Sequence, residues 1–134
     1  KDINPNKIKL LYVGRVRIEK GIFSLINILR DTNLSLTIIT SEKNIELKEK
    51  FKNINLMSFD NYNDAIIEMY DKHSIFILPS YTEAHPQVLD EALARLRPVI
   101  VFKEIEHVNR DREGIFISER NLKSLEKTIM QLWN

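Results

Sequence analysis

The sequence predicts an α/β fold, a parallel β-sheet covered by helices on both faces. Short apolar runs alternate with segments of helical periodicity along the 134 residues. The runs are continuously apolar rather than apolar at every second position, as expected of strands buried on both faces. Glycine, proline and capping residues fall between them. Strand–helix alternation of this kind gives right-handed crossovers and a parallel sheet.

Ile8 to Val13 is a first strand, stopped by Gly14. Gly21 to Asp31 carries Ile22, Leu25, Ile26 and Leu29 at helical spacing. Leu34 to Thr40 reads as a second strand, and Ser41 can cap a polar helix over Glu42 to Lys52. Ile54 to Ser58 is a third strand. Asn61 or Asn63 can cap a helix through Ala65, Ile66, Met69 and Tyr70. Ser74 to Leu78 is a fully apolar strand closed by Pro79-Ser80. Pro86 to Arg95 is a helix with proline at its first position. Pro98 to Phe102 is a buried strand and Gly114 to Ile117 a weaker one. Asn121 caps a last helix that runs to Trp133.

The length suits one domain, and 43% hydrophobic residues suffice for a core. Twenty basic against 19 acidic residues leave a formal charge of +1, with no long-range attraction for nucleic acid. Without cysteine there is neither a disulfide framework nor a thiolate metal site, which fits the cytoplasm. No apolar run approaches the roughly 20 residues that span a bilayer. The first seven residues lack the layout of a signal peptide. A chain beginning at Lys1 is expected to be a fragment of a longer protein.

In sheets of this type ligands sit beyond the carboxyl ends of the strands. The loops that matter are therefore Gly14 to Lys20, Ser58 to Tyr62, Pro79 to His85 and Lys103 to His107. In the first, Gly14 permits a sharp turn, Arg15 offers a planar fork of donors for phosphate oxygens and Lys20 a mobile point charge. A solvated basic loop would look the same. Glu83 follows the fourth strand, and Glu91 lies inside the next helix, off the apolar arc of Val88, Leu89, Ala92, Leu93 and Leu96. Its carboxylate can face a ligand or water. Free amides from His85 to Val88 form an anion site at the helix start. Together, two cations and a helix start suit a diphosphate. One carboxylate suits the paired hydroxyls of a ribose, the other those of a sugar. His85 and His107 have no partners at metal-ligand spacing and read as surface residues, His85 being the nearer to a ligand.

Tyr12 to Gly21 (YVGRVRIEKG) and Ile75 to Val101 (IFILPSYTEAHPQVLDEALARLRPVIV) resemble the signature regions of family 4 glycosyltransferases, the glycosyl transferases group 1. The most specific part is Pro79-Ser80, then Glu83, seven residues, Glu91-Ala92 and Pro98-Val99-Ile100, an E-x7-E motif in its setting. The resemblance implies a Rossmann-like three-layer domain, the C-terminal, donor-binding half of a two-domain GT-B enzyme, spanning residues 1–134 with the acceptor half absent. It implies that Arg15 and Lys20 hold the donor diphosphate, Glu83 the hexose and Glu91 the ribose. Gly14 and the stretch Ala84, His85, Pro86, Gln87, Val88 would line the donor, and Ser58, Phe59 and Tyr62 would lie near the base. Glu83, Arg15 and Lys20 would carry the catalytic load. The sequence departs from the usual pattern at Ala84-His85-Pro86, where a Gly-Phe-Gly-like stretch is common, and at Leu96, where glycine is common. Glycines are also missing from Lys103 to Glu113.

The function so implied is transfer of a hexose, with retention, from a nucleotide-diphosphate sugar in cell-surface polysaccharide or glycolipid synthesis. The fragment by itself is expected to be inactive. No cofactor and no metal is expected, because fixed cations serve the diphosphate. The expected partners are the donor and the N-terminal domain of the same enzyme. Nucleic acid is not among them, and the full enzyme is expected in the cytoplasm with peripheral contact to the inner membrane face as an option. A non-catalytic GT-B relic, half of a sugar-phosphate epimerase and a flavodoxin-like binding module are the alternatives.

Overall fold

The computed structural model describes residues 8–42, 53–58 and 64–133. The elements run β1 (Lys9–Val13), α1 (Ile22–Leu29), β2 (Ser35–Thr40), β3 (Ile54–Ser58), α2 (Asp64–Lys72), β4 (Ile75–Leu78), α3 (Gln87–Ala94), β5 (Val99–Phe102), β6 (Ile115–Ser118) and α4 (Leu122–Trp133). Every strand pair is parallel, and the order across the sheet is β3-β2-β1-β4-β5-β6. This is the doubly wound order of dinucleotide-binding folds. Flavodoxin-like sheets run 2-1-3-4-5 instead, so the flavodoxin-like alternative is set aside.

Burial follows the apolar runs. β4 and β5 are buried at every position, as is β1 after Lys9. β3, at the edge, is only partly covered. α1 packs Ile22, Leu25, Ile26 and Leu29 against the sheet, and α4 contributes Leu125 and Ile129. Asn121 caps α4, its Oδ1 accepting the Ser124 amide at 2.8 Å. The expected helix over Glu42 to Lys52 falls mostly outside the described residues, as do the caps Asn61 and Asn63.

Three departures from the sequence reading affect the site. Pro86 is the residue before α3 rather than its first member, with ψ 114 in the extended region; its carbonyl accepts the Leu89 amide at 3.2 Å. The stretch read as a loop at Lys103 to His107 is 3-10 helical over Lys103–Asn109, with a kink at Ile105. Ile105 and Val108, three apart, are both buried, a spacing that suits a 3-10 turn. A shorter 3-10 turn, Ile18–Lys20, precedes α1.

Gly21 joins that turn to α1 with φ 71. A Cβ there would lie 1.9 Å from the Pro79 carbonyl oxygen. The loop after β1 therefore runs against the loop after β4, and the Tyr81 amide donates to the Glu19 carbonyl at 3.0 Å. Two loops distant in sequence become one surface.

Candidate functional site

The strand order reverses between β1 and β4, which is where a doubly wound sheet opens a crevice at its carboxyl edge. A cavity of about 280 Å³ lies there, lined by Tyr12 at the end of β1, by Gly14, Arg15 and Lys20 from the first loop, by Glu83 and Pro86 from the second, and by Gln87 and Val88 at the start of α3.

The first loop is braced from below. The Tyr12 hydroxyl donates to the Arg15 carbonyl at 2.7 Å, and the Val16 amide donates to Glu42 Oε1 at 2.8 Å. Tyr12 lies so close under Gly14 that a Cβ on the glycine would meet its hydroxyl oxygen at 2.6 Å. Close approach, rather than the turn alone, is what requires glycine here. Burial raises the Tyr12 phenol well above its usual range, and the negative charges of Glu83, Glu42 and Glu19 add to it. The ring therefore acts as a neutral donor. With its backbone held, Arg15 extends an exposed side chain at the cavity rim.

In the second loop, Glu83 Oε2 accepts from the buried Ser80 hydroxyl at 2.8 Å and from Lys20 Nζ at 2.9 Å. His107 Nε2 lies 2.7 Å from the Glu83 carbonyl. A carbonyl only accepts, so this nitrogen carries the proton. The first turn of α3 presents the Gln87 and Val88 amides beside the cavity, where helix amides lack intrahelical partners.

Arg120, between β6 and α4, forms a hub behind the second loop. Its Nε and Nη2 fork onto Glu104 at 3.1 and 3.2 Å, and Nη2 also donates to the Ser80 carbonyl at 3.2 Å. The guanidinium is stacked 3.8 Å from the Tyr81 ring centre and 4.5 Å from that of Phe102. It holds the Glu104 carboxyl below the usual carboxylate range.

The remaining sequence candidates lie apart from the cavity. Glu91 sits one turn further along α3, and its Oε2 takes the Tyr70 hydroxyl at 3.4 Å. Burial pushes its carboxyl pKa upward. Ala84 is exposed and outside the lining. His85, read as a surface residue, is exposed, and its Nε2 lies 3.2 Å from Asp90 Oδ2. Arg112 engages the other oxygen at 2.6 Å and holds the Asp90 carboxyl low. His107, read likewise, carries the Glu83 contact instead. Ser58 ends an edge strand two positions, roughly 10 Å, from β1, and its hydroxyl donates to the Glu42 carbonyl at 3.2 Å. Phe59 and Tyr62 lie outside the described residues.

Sequence reasoning missed Tyr12, Glu42 and Arg120. Tyr12 gave a signal as the one polar-tipped residue in an aliphatic strand end; Arg120 gave none, since its partners lie 16 to 96 positions away. Among the described residues no group of three or more His, Asp or Glu side chains is placed to hold a metal ion. No described helix is long and apolar enough to cross a membrane.

The strand order and the crevice it opens define a Rossmann-like α/β domain, the type that forms the C-terminal half of GT-B glycosyltransferases. The family described as glycosyl transferases group 1 matches residues 1–134. The chain belongs to that family. Among solved structures it is similar to sucrose-phosphate synthase from Thermosynechococcus elongatus, with 18% identity, TM-score 0.74, and coverage of 98% of this chain and 37% of the other. It is also similar to an α,α-trehalose-phosphate synthase (UDP-forming) from Burkholderia xenovorans, in complex with glucose-6-phosphate, with 8% identity, TM-score 0.69 and coverage of 96% and 36%. A third is the glycosyltransferase GlyE in Streptococcus pneumoniae TIGR4, with 13% identity, TM-score 0.62 and coverage of 95% and 32%. The chain thus spans about a third of the length of these proteins. No curated protein sequence matches it.

Proposed function

We propose that this chain is the donor-binding half of a retaining glycosyltransferase and holds a nucleotide-diphosphate sugar in the crevice between β1 and β4. The observation that carries this reading is the cavity shared by Arg15, Lys20, Glu83 and the start of α3 at the switch point of the sheet. In transfer, the bond between the anomeric carbon and the diphosphate breaks, and a bond from that carbon to an acceptor hydroxyl oxygen forms on the same face. The acceptor's proton leaves with the diphosphate or with solvent. Negative charge grows on the departing diphosphate, where Arg15, Lys20 and the α3 amides counter it. Fixed cations then do the work of a metal, and none is needed. Glu83, neutralised by Lys20 and oriented by Ser80, would receive hexose hydroxyls, and Glu91 the ribose. An N-terminal half of the same enzyme would supply the acceptor, and a cell-surface polysaccharide or glycolipid is the product class proposed.

Calorimetry with UDP-glucose, GDP-mannose, ADP-glucose and the bare diphosphates, with and without EDTA, tests this. Weak, metal-independent binding that Arg15→Ala and Lys20→Ala each reduce is the expected result. Absence of binding to every member of that panel, or strict dependence on Mg²⁺, overturns it. In the full enzyme the same two substitutions should cut kcat by on the order of 10²-fold.

A further inference from the structure

Glu83 needs a fixed direction if it is to meet a sugar hydroxyl, and Lys20, 2.9 Å away on a flexible and partly exposed side chain, does not fix one by itself. Residues 79–86 carry no regular structure, and two prolines restrict their amides. Ser80 is the link that is held. It is fully buried and has two contacts on opposite sides: its hydroxyl donates to Glu83, and its carbonyl accepts from Arg120. Arg120 has little freedom of its own. Its side chain is 12% exposed, forked onto Glu104 and set against two aromatic rings. One of those rings, Tyr81, belongs to the loop being held; the other, Phe102, ends β5.

We infer that Arg120 is a positioning residue for the donor sugar: it fixes the Ser80 carbonyl to the end of β5, so that the Ser80 hydroxyl aims the Glu83 carboxylate into the cavity. This rests on the reading of Glu83 as the hexose contact. It adds that recognition of the sugar depends on a residue outside the cavity, while recognition of the diphosphate by Arg15 and Lys20 does not. Only an arginine serves, because the fork onto Glu104 and the contact with two rings both need a planar guanidinium.

The test compares UDP-glucose with UDP by calorimetry on this chain. Arg120→Lys should weaken UDP-glucose binding about 2- to 10-fold, the loss of one hydrogen bond, with UDP affinity changed less than about 2-fold. Ser80→Ala should reproduce that loss, and the double variant should lose no more than either single one, because both act through one link. Glu104→Gln, which leaves Arg120 in place but weakens the fork, should shift binding in the same direction by less, and it serves if Arg120→Lys fails to fold. Equal losses for UDP and UDP-glucose, or additive effects of Ser80→Ala and Arg120→Lys, would overturn the inference. If the unsubstituted chain binds neither compound, the reading of the site has failed, and amide exchange decides the positioning role by itself. Arg120→Lys or Glu104→Gln should then speed exchange at Tyr81 to Glu83 and leave β4 unchanged. Unaltered exchange in that loop would count against it.

Discussion

Lys20 Nζ lies 2.9 Å from Glu83 Oε2, so the cation assigned to the diphosphate is paired with the carboxylate assigned to the sugar. Glu83 is the better buried partner, with 11% of its side chain exposed against 30% for Lys20. On the proposed reading, a donor entering the cavity would share Lys20 with Glu83. A bare diphosphate gains nothing from the carboxylate and is repelled by it, whereas a sugar nucleotide recovers the cost through its hydroxyls.

Glu83→Gln should therefore separate the two ligands. UDP should bind about 2- to 5-fold more tightly, because an accessible ion pair worth up to about 1 kcal/mol no longer competes for Lys20. UDP-glucose should bind more weakly, having lost a charged acceptor for its hydroxyls. Calorimetric titration of both ligands into both proteins measures this. Weaker binding of UDP by the variant would contradict the competition.

Glu91 offers a prediction from pH. Burial raises its carboxyl above the usual value of 4.5 in the fold. The folded chain then holds this proton more tightly than the unfolded chain does. Between 4.5 and the raised folded value the native state carries more protons, so stability falls as pH rises through that window and stays lower above it. Above that window the ionised carboxylate is a cost that ligand hydroxyls would offset. Glu91→Gln should raise Tm at pH 7, and its advantage should shrink as pH falls through that window and vanish below about pH 4.5. The same variant should bind UDP-glucose about 10-fold more weakly if ribose is its partner. A lower Tm at pH 7 would refute the cost; unchanged binding would refute the ribose role.

The sheet was legible because its strands are continuously apolar and end at residues that stop them, as Val13 does at Gly14 and Leu78 at Pro79. The same endings pointed to the loops after β1 and β4, and Arg15, Lys20 and Glu83 line one cavity there. What escaped were side chains whose partners lie across the sheet edge. His107 reaches the Glu83 carbonyl over 24 positions and Arg120 the Ser80 carbonyl over 40. Periodicity reports which face of an element is buried; it carries no information on which distant backbone oxygen a surface imidazole or guanidinium will find. The 3-10 stretch over Lys103–Asn109 escaped for a related reason, since two apolar residues three apart are too few to distinguish a turn from a loop.

Leu96 follows α3 in the left-handed region, φ 60, with 84% of its surface exposed. Its side chain buries little, yet the backbone conformation costs roughly 1–2 kcal/mol for a residue with a Cβ. Leu96→Gly removes that strain and returns part of the gain as chain entropy in the unfolded state. A net stabilisation of about 0.5–1 kcal/mol should follow, or roughly 2–4 °C in Tm, with UDP-glucose affinity unchanged. Thermal denaturation of the variant beside the parent chain checks this, and a drop in Tm would mean that Leu96 makes a stabilising contact after all.

Gly21 is also in the left-handed region, φ 71, but its surroundings reverse the expectation. The hydrogen it presents faces the Pro79 carbonyl, and a Cβ would come within 1.9 Å of that oxygen and 2.9 Å of Arg120 Nη1. Neither obstacle is the free end of a flexible side chain, since the first is backbone and the second is held by Glu104 and two rings. Gly21→Ala therefore has to push the β1 loop away from the β4 loop. The left-handed backbone costs roughly 1–2 kcal/mol and the overpacking roughly 1–3 more, so a destabilisation of about 2–5 kcal/mol is expected. Separation of the loops would also break the Tyr81–Glu19 backbone bond and draw Lys20, the preceding residue, away from Glu83. Binding should suffer even under conditions where the variant remains folded. Measuring UDP-glucose affinity well below the variant's Tm separates the two effects. Affinity equal to that of the parent chain would show that the two loops need not touch for the site to form.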